Sequence, residues 1–553
     1  MKKAQKIMSL VAVLMLLVGA FPAFAESAKD PVTFTMYVED PMAHRIEENF
    51  QGTVSKKITA DTGVTLKYQF GVGDVSQQVT LMVADRSFPD FVFSRSNLAT
   101  FMAADAYIDM APLIEEYGPN IKKLYGKSFD KNKDAQGRIF YLGQAPINDT
   151  RLHFDPEDSF ELQLAVLKEL NYPEIRTLDQ FADAIRQYKA KYPEIDGQPT
   201  IGLTLTCGEG WRYYITLINP SIRATGGPDD GNFFVDPDTK KVIYAFANPK
   251  IKEYFRFLNG LYAEGLLDPD AFTQTHDEYL AKVSSGRVLA LTDANWEFEE
   301  AETTLRSDGK EWRTYARFPV TLSKDIPHQA YRPDAYIVTN GVGITTNCKD
   351  PVRAVQFLDY LCREEIQVMT HWGFEGEDWH IVDGKRKPIR VTEDGTDSIE
   401  NILRTGIGLT VYPFPDAGLM KDKDGYWISP NSDDDALVAA YTTAAKEVLA
   451  GYGVRTWREL FPRPETLKES TWGQAWRLWD ALPKDEEFGM LHNECNALAA
   501  EYLAKAASAA PDQFEAVWNE FQTRLKDAGV DRLGELATEL LKTIDGKVAP
   551  VYE

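Results

Sequence analysis

The sequence predicts an α/β protein of two lobes, and three observations carry this. Apolar strands alternate with helices from Val32 to Ser94, the pattern of a parallel sheet. A second α/β unit, a strand pair around Ala335 to Thr346 followed by a helix, comes much later. A helix-rich stretch separates the two units, so the chain is expected to pass between lobes more than once. The expected division is a first α/β lobe from 26–148 plus 331–412, and a second, helix-rich lobe from 149–330 plus 413–553.

The elements come in this order. An apolar strand runs Val32 to Val38, a polar helix Phe50 to Ala60, and Gly63 punctuates it. A strand from Val64 to Phe70, a helix from Val75 to Ala84, the turn Phe88-Pro89-Asp90 and a strand from Phe91 to Ser94 complete the first unit. From Asp158 the pattern turns helical, with Phe160, Leu164 and Leu167 on one face. Thr177-Leu178-Asp179-Gln180 is a capping box for a helix burying Phe181, Ile185 and Tyr188. Asn248-Pro249 supplies an N-cap and a first-turn proline for a helix with Tyr254, Phe255, Leu258 and Leu261 inward. A second helix, Gly286, a short apolar strand and a loop ending in Trp296 come next. That order brings one large ring to a strand end, where open α/β sheets bind ligands. Asp350-Pro351 caps a helix burying Val355, Leu358 and Leu361. Residues 366–435 read as loops and a crossover. Residues 436–545 read as helix, and their cluster Trp457, Trp472, Trp476, Trp479 and Trp518 as helix packing.

Composition narrows the class. The 553 residues suffice for two domains, and 44% apolar with 26% charged residues fits a soluble globular chain. Lys2, Lys3 and Lys6 precede an apolar run from Ile7 to Phe21, and Ala23-Phe24-Ala25 comes after it. This is expected to be a secretory signal peptide, residues 1–25, cleaved after Ala25. The run is short for a bilayer span of ~20 residues. Leu17-Val18-Gly19-Ala20 is close to a lipobox, but Ala20 stands where the acylated Cys would be, so no lipid anchor is expected. Cleavage takes away three lysines and no acid, moving the formal charge from −24 to −27. Such a field repels phosphate backbones and anionic membrane surfaces, so no nucleic-acid partner is expected. Cys207, Cys348, Cys362 and Cys495 are widely spaced without a Cys-x-x-Cys pair, which leaves four separate thiols as the expected state.

Catalytic and metal signatures fail on inspection. Neither Gly-x-Ser-x-Gly nor His-Glu-x-x-His occurs. Gly126-Lys127-Ser128 lacks the first glycine of a phosphate loop, which is Ile121 here. Asp130-Lys131-Asn132-Lys133-Asp134 has the start of a calcium-loop spacing, but its sixth position is Ala135 and its twelfth Tyr141, so a solvated turn is expected. Neither a metal nor a cofactor is implied.

Several segments together resemble the family 1 extracellular solute-binding proteins of ABC importers, most closely the large oligosaccharide-binding members. They are Phe88-Pro89-Asp90-Phe91-Val92, Tyr107-Ile108-Asp109-Met110, Tyr117-Gly118-Pro119-Asn120, Leu167-Lys168-Glu169-Leu170-Asn171-Tyr172-Pro173 and Gly265-Leu266-Leu267-Asp268-Pro269-Asp270. Lys282 to Gly286, Gly373-Phe374-Glu375-Gly376 and Asp383-Gly384 extend the resemblance from about 32 to about 480. Relatives commonly carry Arg-Trp-Asp where this chain has Gln163-Leu164-Ala165, which points to a different ligand. The acidic loop that holds calcium in some relatives is the carboxylate-poor Pro193-Glu194-Ile195-Asp196-Gly197-Gln198 here.

The resemblance implies a type II periplasmic-binding-protein-like clamshell with hinge crossovers, closing on a carbohydrate without chemistry and handing it to permease subunits. A monomer, secreted or periplasmic, is expected. Sugars offer apolar C–H faces and a ring of hydroxyls, so aromatic planes and fixed polar groups are the residues to seek. The candidates are Trp296 and Trp211 in the second lobe, Tyr37, Asp40 and Arg95 at strand ends in the first, Arg332 near a crossover, and Trp427 after the Gly425 turn. Two other readings stand beside this one. They are a secreted carbohydrate-active enzyme (glycoside hydrolase or lyase), and a peptide-binding or sensing protein of the same fold.

Overall fold

The computed structural model describes residues 30–39, 50–71, 75–95, 97–134, 136–144, 158–228, 230–333, 341–389, 405–408, 414–418, 420–473 and 486–544, with Pro156, Trp479 and Leu482. The signal segment 1–25, Asp40, Ser96, the first part of the strand pair from Ala335, and Trp476 lie outside the described residues.

Two sheets organise the chain. Their strands are β1 (Val32–Val38), β2 (Val64–Phe70), β3 (Phe91–Ser94), β4 (Leu142–Gly143), β5 (Asp158–Gln163), β6 (Ile201–Leu203), β7 (Val288–Ala294), β8 (Tyr315–Phe318) and β9 (Gly341–Ile344). The first sheet has the order β2-β1-β3-β9-β4, and the second β8-β5-β7-β6. β1 pairs in parallel with both β2 and β3, setting Val38 beside Phe70 and Phe93. β9 runs antiparallel to β3. The Phe88-Pro89-Asp90 turn is tied to β1, because Asp90 accepts from the Thr35 amide at 2.7 Å and its hydroxyl at 2.8 Å. In the second sheet β7 runs parallel to β6 and antiparallel to β5.

β5 corrects one expectation. Residues 158–163 form a strand, not a helix, and only Leu164–Glu169 is helical. The spacing of Phe160, Leu164 and Leu167 fits a helix locally. Strand neighbours on both sides override it, since β7 pairs Thr292 with Phe160 and β8 pairs Phe318 with Phe160. Glu161 and Gln163 are fully buried, which a local pattern reading assigns to a solvent face.

The helices keep closely to their caps. Thr177 accepts from the Gln180 amide in the expected capping box, and Leu178–Lys191 buries Phe181, Ile185 and Tyr188. Asp350 accepts from the Arg353 amide at the start of Pro351–Leu361. Ile251–Ala263 begins later than its Asn248-Pro249 signal, because Asn248 uses its side chain on the Lys250 amide in a turn ahead of the helix. Gly286 takes φ +81° after the helix His276–Ser284, a left-handed stop that turns the chain into β7.

Two large cores accompany the sheets. Phe91, Phe93, Val342 and Phe357 belong to the first; Phe160, Leu203, Ala290 and Phe255 to the second. The chain leaves the first core after Leu142, returns by Val342, and leaves again between Ala436 and Ala444. The last crossing therefore lies beyond the expected boundary at 412/413. Phe414, Ala417 and Ile428 pack with the first sheet, where Phe414 stands edge-on to Phe91 and Phe357. Residues 366–435 also hold more than loops, with a helix Glu364–Trp372 and a hairpin of Trp379–Val382 and Lys385–Pro388. The long helix Glu487–Ser508 and the two helices after it close the second core. Asn259 donates to the carbonyls that end the long helix, including that of Ala509 at 2.7 Å. Trp457, Trp472, Trp479 and Trp518 are all buried in this core.

Candidate functional site

β7 is buried at every position, so its C-terminal end, and the helix that grows from it, are held in a fixed place. Trp296 does not end a loop. The helix Asn295–Ser307 starts directly after Ala294, and Trp296 sits in its first turn. β6 lies in parallel beside β7, pairing Leu203 with Ala290, so the segments leaving the two strands emerge side by side. The segment after β6 carries Trp211. It is pressed so tightly onto Thr273 that a Cβ at Gly208 would lie 2.3 Å from the Thr273 carbonyl oxygen. The two expected rings meet: Trp211 and Trp296 stack with centroids 5.7 Å apart and planes at 28°. Both are partly exposed.

An ion pair joins the residues next in sequence after the rings. Arg212 Nε donates to Glu297 Oε2 at 2.9 Å, and the guanidinium lies 5.1 Å from the Trp211 ring centroid. His276 Nε2 stands 3.0 Å from the Glu297 carbonyl oxygen and 3.1 Å from Oε2. The backbone N–H of His276 donates to Glu209 at 2.9 Å. The Glu297 side chain is 1% exposed. Glu297 Oε1 and Asn295 Oδ1 are buried acceptors without a donor among the described residues. Behind them, Asp293 accepts from the Tyr279 hydroxyl at 2.8 Å, and burial, with the Asp293 charge, holds that phenol well above its usual range. Arg212, Glu297 and His276 were not anticipated as a group. Each ring is followed by a charged residue of opposite sign, which is a visible signal, but 85 positions separate the two charges.

The strand ends of the first lobe are different. Glu39 comes directly after β1 and is 6% exposed. Its carboxylate accepts from Ser94 Oγ at 2.7 Å, the Arg95 amide at 3.1 Å and Asn97 Nδ2 at 2.8 Å. Arg95 is partly exposed beside it. Tyr37 is 3% exposed and packs against Phe101. Burial, then the nearby Glu39 charge, pushes its phenol well above the usual range. In this conformation its ring is core.

The remaining two candidates stand apart from the stacked rings. Arg332 is buried and makes two hydrogen bonds to Asp230, at 2.9 and 3.0 Å, with its guanidinium 5.4 Å from the Trp472 ring centroid. It braces the second core. Trp427 lies in the first lobe, where its carbonyl accepts from Trp372 Nε1 and Arg386 and Lys421 covers its ring. A recess of about 530 Å³ on the first lobe, lined by Asp61, Arg353, Tyr360 and Arg363 among others, sits among helices at the N-terminal end of β2, away from the C-terminal strand ends.

Among the described residues, no group of three or more His, Cys, Asp or Glu is placed to hold a metal. Asp134, in the calcium-like run, accepts from the Gln136 and Arg138 amides and pairs with the Arg138 guanidinium. The four cysteines are free thiols.

Comparison with known proteins bears on this arrangement. Residues 53–374 match the model of a bacterial extracellular solute-binding protein family. A carbohydrate ABC transporter substrate-binding protein of Streptococcus pneumoniae is 22% identical over 382 residues, 68% of this chain and 71% of that one. The solved structure of the S. pneumoniae substrate-binding protein FusA, an EF-hand mutant in complex with fructo-nystose, superposes with a TM-score of 0.63 at 16% identity. It covers 93% of this chain and 99% of that one. An HMO-binding, ABC-transporter-associated solute-binding protein of Bifidobacterium longum infantis gives 0.60 at 13% identity, covering 94% and 99%.

Proposed function

We propose that this chain, which belongs to the bacterial extracellular solute-binding protein family, is the substrate-binding subunit of an ABC importer and captures an oligosaccharide between its two lobes. The observation that carries the reading is the Trp211–Trp296 stack beyond the C-terminal ends of the parallel strands β6 and β7. Two stacked rings form an apolar block whose outer faces suit the C–H faces of sugar units. At a separation of 5.7 Å they leave no room for a sugar between them, since contact on both sides would need about 7–8 Å. The ligand therefore lies against the outer faces of the pair. Arg212, Glu297 and His276 hold the rings in place. Asp40 and Arg95 contribute hydrogen bonds from the first lobe, and Tyr37 and Trp427 reach the ligand only if their lobe rearranges on closure.

Capture is by population shift. A ligand that touches both lobes only when they approach stabilises the closed form, and the permease reads that form. A micromolar ligand needs about −8 kcal/mol, within reach of two stacked rings and several hydrogen bonds. The protein acts outside the cytoplasm, and among the described residues no helix is long and apolar enough to cross a membrane. Cleavage after Ala25, the absence of a lipid anchor and a monomeric state belong to the same proposal.

A thermal-shift screen of oligosaccharides with chromatographic product analysis tests it. Saturable stabilisation by a sugar that is recovered intact is expected. Sugar turnover that disappears on mutating a single carboxylate would replace the proposal with an enzyme, and stabilisation by peptides alone would replace the ligand class.

A further inference from the structure

We propose that the captured oligosaccharide is uncharged, and that Glu297 enforces this choice by neutralising Arg212 in an ion pair through its Nε; the inference rests on the sugar-binding reading above. A carboxylate-bearing sugar is best recognised by an arginine whose planar fork is open to it. Arg212 is the arginine placed against the aromatic wall, and its Nε is on Glu297 Oε2 at 2.9 Å. The immediate surroundings hold two carboxylates, Glu209 and Glu297, against that single guanidinium. In the first lobe the Arg95 amide donates to the buried Glu39 carboxylate, so among the described residues of that strand end the arginine is matched by a carboxylate.

Two buried oxygens beside the rings are left unbonded among the described residues. Glu297 Oε1 and Asn295 Oδ1 are acceptors awaiting donors. Sugar hydroxyls can donate to them, whereas a carboxylate brought against Glu297 adds only acceptors and like charge. The helix Asn295–Ser307 opens at the site without a side-chain cap, an end that attracts anions, but Glu297 occupies its first turn and answers that partial charge itself. The chain as a whole carries a formal charge of −24, which disfavours the approach of a polyanion. The carboxylates around Arg212 and the charge of the chain select against a uronate. None selects against a neutral, hydroxyl-rich chain.

Titration calorimetry on the mature protein decides this, using neutral oligosaccharides and uronate oligosaccharides of equal length at fixed ionic strength. The wild type should bind a neutral chain saturably and a uronate chain at least about tenfold more weakly, the scale of one charge-assisted contact. Glu297→Gln releases the guanidinium and should gain about 10- to 100-fold in uronate affinity, an increase that fades with salt. Arg212→Met should show no such gain. A wild type that prefers uronates overturns the inference and leaves the sugar-binding reading standing. A folded Glu297→Gln protein with an unchanged uronate-to-neutral ratio overturns the role of Glu297. If neither sugar class binds while peptides do, the sugar-binding reading fails and the inference with it. Should Glu297→Gln not fold, the wild-type preference alone decides the charge class.

Discussion

The two lobes end their strands in opposite ways. In the first, the carboxylate of Glu39 is taken up by Ser94, Arg95 and Asn97, and the Tyr37 ring is packed into the core. In the second, two tryptophans stand partly exposed and stacked, with an ion pair behind them and acceptor oxygens unused. The same α/β logic has produced on one side a buried carboxylate met by its own lobe, beside a Tyr37 hydroxyl without a partner among the described residues, and on the other a partly exposed aromatic edge. Unspent surface is where binding energy comes from, so the second lobe is expected to supply most of the affinity, and the first to supply orientation and closure.

The largest expected effect separates support from binding inside the second lobe. Asp230→Ala removes the carboxylate that faces the buried Arg332 guanidinium, which should cost about 3–5 kcal/mol of stability by chemical denaturation. Ligand affinity measured below the lowered melting point should be unchanged. An affinity loss that outruns the stability loss would return Arg332 to the cleft. Next comes Trp296→Ala, expected to weaken binding by about 2–4 kcal/mol while the melting temperature moves little. Equal losses in both would make the stack a piece of core, and the contrast between the lobes would disappear. Glu39→Ala is the matching change in the first lobe. It leaves the buried Ser94 and Asn97 donors unpaired and should cost about 1–3 kcal/mol of stability, with a smaller effect on affinity than Trp296→Ala.

The smallest effect is a pH dependence assigned to the second lobe. Burial lowers the His492 imidazole to about 4, and holds His328 well below its usual value with help from Arg223 and Arg176. In the unfolded chain both protonate near 6.5. Between about 6.5 and 4 the unfolded state therefore binds more protons, and stability falls as the pH falls through that window. The effect should be about 1 kcal/mol per residue at pH 5.5. A pH series of melting curves should show it, and His492→Asn should flatten the slope. A slope that survives both histidine substitutions would assign the acid sensitivity to other groups.

Much of this was legible before any fold was known. β1, β2 and β3 occupy the expected residues, because each is an apolar run bounded by turn chemistry. The helices capped by Thr177 and Asp350 start where those side chains say, since a cap is a local bond. The features that went unread were non-local. β5 has helical spacing and is a strand because β7 and β8 pair with it. Residues 366–435 look like loops and a crossover, yet Phe414 and Ile428 fill the first core. Arg332 is an ordinary charge in sequence and a buried brace in space.

By itself, the sequence determined which residues form β1, β2 and β3 and the caps at Thr177 and Asp350, and it marked Trp211 and Trp296 as candidate rings. Only the tertiary structure decided that these rings touch. They are brought together by the parallel pairing of β6 with β7, and with them an arginine and a glutamate 85 positions apart. Local pattern sets what a segment can become; strand order sets which segment ends it meets, and binding depends on the meeting.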